Sequence, residues 1–203
     1  VSATKIPALY QKAGYDAIVI TDHYCKWAQD RSGLTDNDDY VQYFLNGYRS
    51  ARKAAGQIGF TVLLGAEANL PGSPNDYLLY GITEEFILTH PDIHEMSLPE
   101  LYNLCHDNDI LLLQAHPYRT YCNPADPQYL DGAESYNGNP RHDNRNELAR
   151  EWTDEFHMIE SSGSDFHELE DVAKGGIKTD ETILDTRQLR DVLLSGQYQL
   201  LTP

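Results

Sequence analysis

Short apolar runs alternate with amphipathic stretches along the whole chain. Residues 4–13 predict a helix that Ser2 or Thr4 can cap, with Pro7 tolerated near its start and Gly14 ending it. Residues 17–21 form a short apolar run that ends in Asp22-His23. Helical spacing returns over 38–56, where Tyr40, Val41, Phe44, Leu45, Tyr48, Ala51 and Ala55 share one face. The run 61–64 leads into Gly65-Ala66-Glu67, and the run 77–80 ends at Gly81. A helix over 98–107 precedes the apolar residues 110–114, which end at His116-Pro117. Residues 133–136 form a weaker strand and 146–155 a helix. The run 158–160 leads into Ser161-Ser162-Gly163-Ser164-Asp165-Phe166-His167, and a last helix covers 185–194.

Continuous apolar strands separated by helices predict a mainly parallel sheet buried on both faces. Six such strands are visible, with no low-complexity segment and no linker, so residues 1–203 are read as a single α/β domain. The polar, proline-containing stretches 24–37, 69–76 and 119–131 each follow a strand. In β/α architectures those loops build the site.

The ionisable residues follow the same logic. His23, Glu67, His116 and the pair Asp165/His167 all stand just past an apolar run. Imidazoles and carboxylates suit Zn, Mn or Fe, and residues two apart in extended chain point the same way, so Asp165 and His167 can face one centre. His90, His94, His106, His142 and His157 lack this placement and are assigned to surface or packing. Arg119, three residues after His116, is the candidate for binding a substrate phosphate, because a guanidinium can do so bidentately. Arg141 and Arg145 are weaker candidates.

Four of these segments carry a resemblance. Ile20-Thr21-Asp22-His23, Gly65-Ala66-Glu67, Ala115-His116-Pro117 and Gly163-Ser164-Asp165-Phe166-His167 resemble, in order, the signature motifs of the PHP (polymerase and histidinol phosphatase) family. Ala133-Glu134-Ser135-Tyr136-Asn137 resembles the segment before the last motif. The resemblance implies a distorted, TIM-like (β/α)7 barrel and up to three divalent ions, Zn, Mn or Fe. It implies that Glu67 bridges two ions, Asp165 completes the first, His116 serves the second, and His23 and His167 share the third. Asp22 would orient a ligand or bond backbone. The family opens on a strand ending in His-x-His, which this chain lacks. A preceding segment of roughly 10–20 residues carrying that first strand is therefore expected. On the fourth strand, where the family often has a histidine, Asp76 is a possible metal ligand.

The expected function is metal-dependent hydrolysis of a small phosphorylated metabolite or nucleotide by metal-activated water, with Glu67 and Asp165 acting through the bound ions. Two other readings fit the same motifs: a catalytically silent metal-binding module of this family, and an amidohydrolase-like metal hydrolase. The charge balance, 32 acidic against 15 basic residues or −17, disfavours nucleic-acid polymers and anionic membranes as partners. It leaves room for a small anionic substrate, since bound cations reverse the local sign. The three cysteines, without metal-type spacing, and the lack of a secretory signal or a long apolar run point to reduced thiols and a cytoplasmic protein.

Overall fold

The computed structural model describes all 203 residues. The first helix, α1 (Ile6–Lys12), leads to β1 (Ala17–Ile20) and the two-residue β2 (His23–Tyr24), followed by α2 (Lys26–Ser32) and the long α3 (Asn37–Gly56). Then come β3 (Thr61–Asn69), β4 (Asp76–Tyr80), α4 (Glu84–Thr89), α5 (Leu98–Asp107) and β5 (Leu111–Gln114). The C-terminal part holds β6 (Gly132–Asn137), α6 (Asn146–Glu155), β7 (Ile159–Gly163), β8 (Gly176–Lys178), α7 (Thr186–Ser195) and β9 (Gln199–Leu201). No helix is long and apolar enough to cross a membrane.

Local chemistry sets the helix starts. The Asp36 carboxylate accepts the Asp39 N–H at α3, and Thr83 and Asp185 do the same for Phe86 and Gln188 at α4 and α7. Ser97 and Glu100 form a reciprocal capping box at α5. The seven α3 residues expected on one face are those the helix buries.

The main sheet runs β1-β3-β4-β5-β6-β7, with β2 also on β3. β1 and β2 behave as one interrupted strand: Ile20 pairs with Leu64 and His23 with Glu67, so the register is kept across the break. One expectation fails here. β4 runs antiparallel to both β3 and β5, whereas the other pairs are parallel. A six-residue turn joins β3 to β4 as a hairpin, and so short a connection cannot reverse the chain into a parallel strand. The sheet curls into a half barrel and does not close, since β1 and β7 do not pair. β8 and β9 form a separate antiparallel pair.

Period-two alternation sorts the side chains. Val62, Leu64, Ala66, Leu79, Leu112 and Ala133 face outward into the larger core with Phe44, Leu45 and Leu101 of the helices. Leu63, Leu78, Leu111 and Leu113 point to the concave side, where α7 covers them with Leu189 and Leu193. Continuing the same alternation puts Glu67 and Asp76 on the concave side, with Leu63 and Leu78. Replacing Leu112, fully buried in β5, by alanine should destabilise the fold by about 2–5 kcal/mol through lost burial and the cavity left. Urea unfolding of Leu112→Ala against the parent chain measures it.

Candidate metal centre

Strand ladders fix the first half of the site. His23 and Glu67 are opposite one another on parallel strands, and Asp76 enters from the hairpin strand beside them. His23 Nδ1 lies 3.4 Å from Glu67 Oε2. His116 Nε2 lies 3.1 Å from Glu67 Oε1 and 3.7 Å from Asp76 Oδ2. Possible ligand atoms of His23, Glu67 and Asp76 all fall within 4.8 Å of one another. Glu67 was expected just past a strand, but β3 extends to Asn69 and carries it inside the sheet.

The second half is built by loops. Asp165 follows β7 and adopts a left-handed backbone with φ 45°, and His116, just after β5, has φ 29°. Asp and His enter that region more readily than most residues, but a positive φ is still uncommon outside glycine, and such positions concentrate at functional sites. The Asp165 carboxylate takes the Arg119 guanidinium through Nη2 and lies 3.2 Å from His167 Nδ1. Arg119 Nε in turn donates to Asn144 Oδ1 at 2.8 Å. The arginine expected to meet substrate is thus tied to a candidate ligand. Rings of His23 and His167 are 6.2 Å apart, which puts the two halves side by side. Of the weaker candidates, Arg141 is held bidentately by Asp171, and Arg145 pairs with Asp143 at 3.5 Å. Asp22 acts through its backbone, its carbonyl accepting the Glu67 N–H at 3.1 Å.

Protonation follows from this crowding. Burial pushes the Asp76 carboxyl up to about 6, with Glu67 adding to the rise. Burial alone would lower the His116 pKa, but its contacts with Cys122 and Glu67 outweigh that and raise it to about 10. Burial likewise opposes the ionised Asp165, yet His167 and Arg119 hold its carboxyl well below the usual range. The Asp165 carboxylate raises His167 to about 9.

Three contributors escaped the sequence reading. Glu134, on the concave side of β6, is buried, raised to about 7 by burial, and accepts the His116 backbone N–H at 3.1 Å. Asn137 donates to Glu134 at 2.9 Å and to Asp165 at 3.4 Å, linking the two halves. Cys122 Sγ lies 3.7 Å from His116 Nδ1, opposite the nitrogen that faces the carboxylates. Strict alternation would place Glu134 and Asn137 on opposite faces; the irregular register between Glu134 and Tyr136 brings them together. Nothing local marked Cys122.

No family model and no curated protein matches the chain. Solved structures do. A two-domain protein from Bacteroides vulgatus containing a predicted PHP-like metal-dependent phosphoesterase superposes with a TM-score of 0.70 at 13% identity, over 99% of this chain and 60% of that one. The fold is PHP-like. PsfC from Pseudomonas syringae gives a TM-score of 0.70 at 14% identity, over 100% of this chain and 83% of that one. An inferred metal-dependent phosphoesterase from Bifidobacterium adolescentis gives 0.53 at 16%, over 95% and 90%. The PHP-like chain spans less than two thirds of the Bacteroides protein, which continues into a second domain.

The PHP-like concave face fits a divalent ion on its own chemistry. His23 Nδ1 is buried without a hydrogen-bond partner and points into the carboxylate pair of Glu67 and Asp76. Two imidazoles and two carboxylates form a donor set suited to Zn, Mn or Fe.

The shifts make the stability of the fold depend on pH. His116 and His167 have folded pKa values above the ordinary 6.5, so the stability they contribute is complete below that pH and lost as pH rises through about 9–10. Asp76 and Glu134, raised to about 6 and about 7, penalise the folded state once pH passes their ordinary range. Both effects have one sign, because the folded chain binds more protons. In chelator, the melting temperature should therefore fall steadily from pH 6 to pH 10. Thermal scans showing a flat or rising trend would contradict these assignments.

Proposed function

We propose that the chain is a metal-dependent phosphoesterase that hydrolyses a small phosphorylated metabolite or nucleotide. The observation that carries this reading is the buried, unpartnered His23 Nδ1 aimed at the Glu67 and Asp76 carboxylates, on a fold shared with PHP-like proteins. In this reading His23, Glu67 and Asp76 would hold one ion, with His116 against the same two carboxylates, and His167 would contribute to another. Asp165 joins as a further ligand, with up to three ions of Zn, Mn or Fe in all. When bound, such ions lower the pKa of a water and offset charge on phosphate oxygens.

The chain's own residues do the rest. Glu67 presents an oxygen to each side, one toward His23 and one toward His116. Glu134 anchors the His116 backbone, and Cys122 faces the remote ring nitrogen, so Nε2 stays directed at Glu67 and Asp76. Arg119, aimed by Asp165 and Asn144, supplies the positive charge that a substrate phosphate needs beyond the metal ligands. The net charge of −17 favours a small substrate over a nucleic-acid polymer.

The same reading completes the sheet. The edges of β1 and β7 line one cavity of about 1020 Å³ that also reaches Glu67 and Asp165. The distorted (β/α)7 barrel that the family resemblance implies would have a further strand, ending in His-x-His, between those edges. A silent metal-binding module is the second reading, and one observation favours it: the Asp165 carboxylate is committed to Arg119.

Metal analysis and a phosphoester panel decide between them. The chain, with its natural N-terminal neighbour sequence if there is one, should retain divalent metal and release phosphate. Glu67→Gln should cost more than the roughly 10–100-fold seen when only a ligand's outer partner is lost. Bound metal without turnover on any phosphoester would support the silent module, and absence of binding for Zn, Mn and Fe alike would end the proposal.

A further inference from the structure

The loop between β6 and α6 grips the loop after β7 at three points. Asn139 Nδ2 donates to the Asp165 carbonyl at 2.9 Å. Gly138 passes so close that a Cβ there would sit 1.8 Å from the Lys174 carbonyl oxygen, so no other residue fits. Arg141 donates to both oxygens of Asp171, at 2.6 Å and 2.8 Å. The same loop reaches Arg119 through Asn144.

The third point is the unusual one. Asp171 is 0% exposed, and burying an ionised carboxylate is costly unless its oxygens are fully engaged. They are: besides Arg141, Asp171 Oδ2 accepts the backbone N–H groups of His167 at 2.8 Å and Glu168 at 2.7 Å. Glu168 returns a side-chain bond to the Asp171 backbone, forming a capping box around the short turn. The His167 side chain is half exposed, with its ring contacting only Asp165 among hydrogen-bond partners. Its placement therefore depends on where its backbone is pinned.

We infer that Arg141 and Asp171 are positioning residues, an ion pair with a buried carboxylate and an exposed arginine that fixes the His167 peptide so that its ring stands beside Asp165 and His23. Arg141 accordingly holds the ligand loop in place and does not meet the substrate. The ion-binding part of this inference rests on the metal-centre reading above; the backbone part does not.

Hydrogen exchange and metal titration on the full chain separate the two. In Arg141→Gln, the amides of His167 and Glu168 should exchange at least tenfold faster while those of Leu79 and Leu112 keep their protection. Mn²⁺ affinity should fall by about 10–100-fold, as for loss of a ligand's supporting contact. Arg145→Gln, on the same loop but paired only with Asp143, should leave both readouts unchanged. Asp171→Asn provides a second variant, and its exchange pattern should match that of Arg141→Gln. Unchanged exchange at 167–168 would overturn the inference, as would faster exchange without weaker Mn²⁺ binding. Equal loss of protection across the sheet would overturn it too, by showing a general packing role. If the parent chain binds no Mn²⁺, the metal-centre reading fails, and exchange alone then decides whether the pair fixes His167.

Discussion

Ionised carboxylates lose a great deal of hydration when they are buried, and this fold buries several on one concave face. Glu67, Asp76 and Glu134 share it, within the reach of two imidazoles and without a lysine or arginine against the Glu67–Asp76 pair. The molecule relieves the strain by moving protons: His116 gains one readily, and Asp76 and Glu134 give theirs up reluctantly. Divalent cations would relieve it more completely. The surrounding design makes sense on that basis, from the left-handed backbone at His116 and Asp165 to the engaged polar groups of the loops behind them.

Loops and strands divide the work. Strands set His23, Glu67 and Asp76 by register, which leaves little freedom in their spacing. Loops set His116, Arg119, Asp165 and His167; polar side chains hold the backbone of three of them, Glu134 for His116, Asn139 for Asp165 and Asp171 for His167, and Asn144 holds the Arg119 side chain. The asparagines near the end of β6 do most of this bracing. Asn144 alone bonds the carbonyls of Asn137 and Asn139 and accepts from Arg119.

Most of the fold was legible because its signals are local. The apolar runs gave the six principal strands, and the buried face of α3 matched its spacing residue for residue. Strand direction was not legible, since β4 carries the same apolar pattern whichever way it runs; only the short connection after Asn69 discloses the reversal. α2, α4, β8 and β9 were missed because each is too short to show a period, and tertiary contacts stabilise them. In the site, residue types and positions singled out His23, Glu67, His116, Asp165 and His167. Their pairing was beyond reach. That Arg119 meets Asp165, and Arg141 meets Asp171, depends on loops separated by 46 and 30 residues.

The hairpin of β3 and β4 has a consequence for how the molecule assembles. Glu67 and Asp76 are nine positions apart and lie diagonally on one face of a hairpin whose turn Asn69 ties with bonds to the Ser73 and Asn75 carbonyls. Closing so short a loop is fast, on the microsecond scale for hairpins, whereas His116 and the β7 loop must arrive from far along the chain. Two like charges are thus brought together early, before their imidazole partners. A chain folding in the presence of divalent cations would meet a nascent chelating hairpin first, and the cation would then act as a template that lowers the repulsion opposing the later steps.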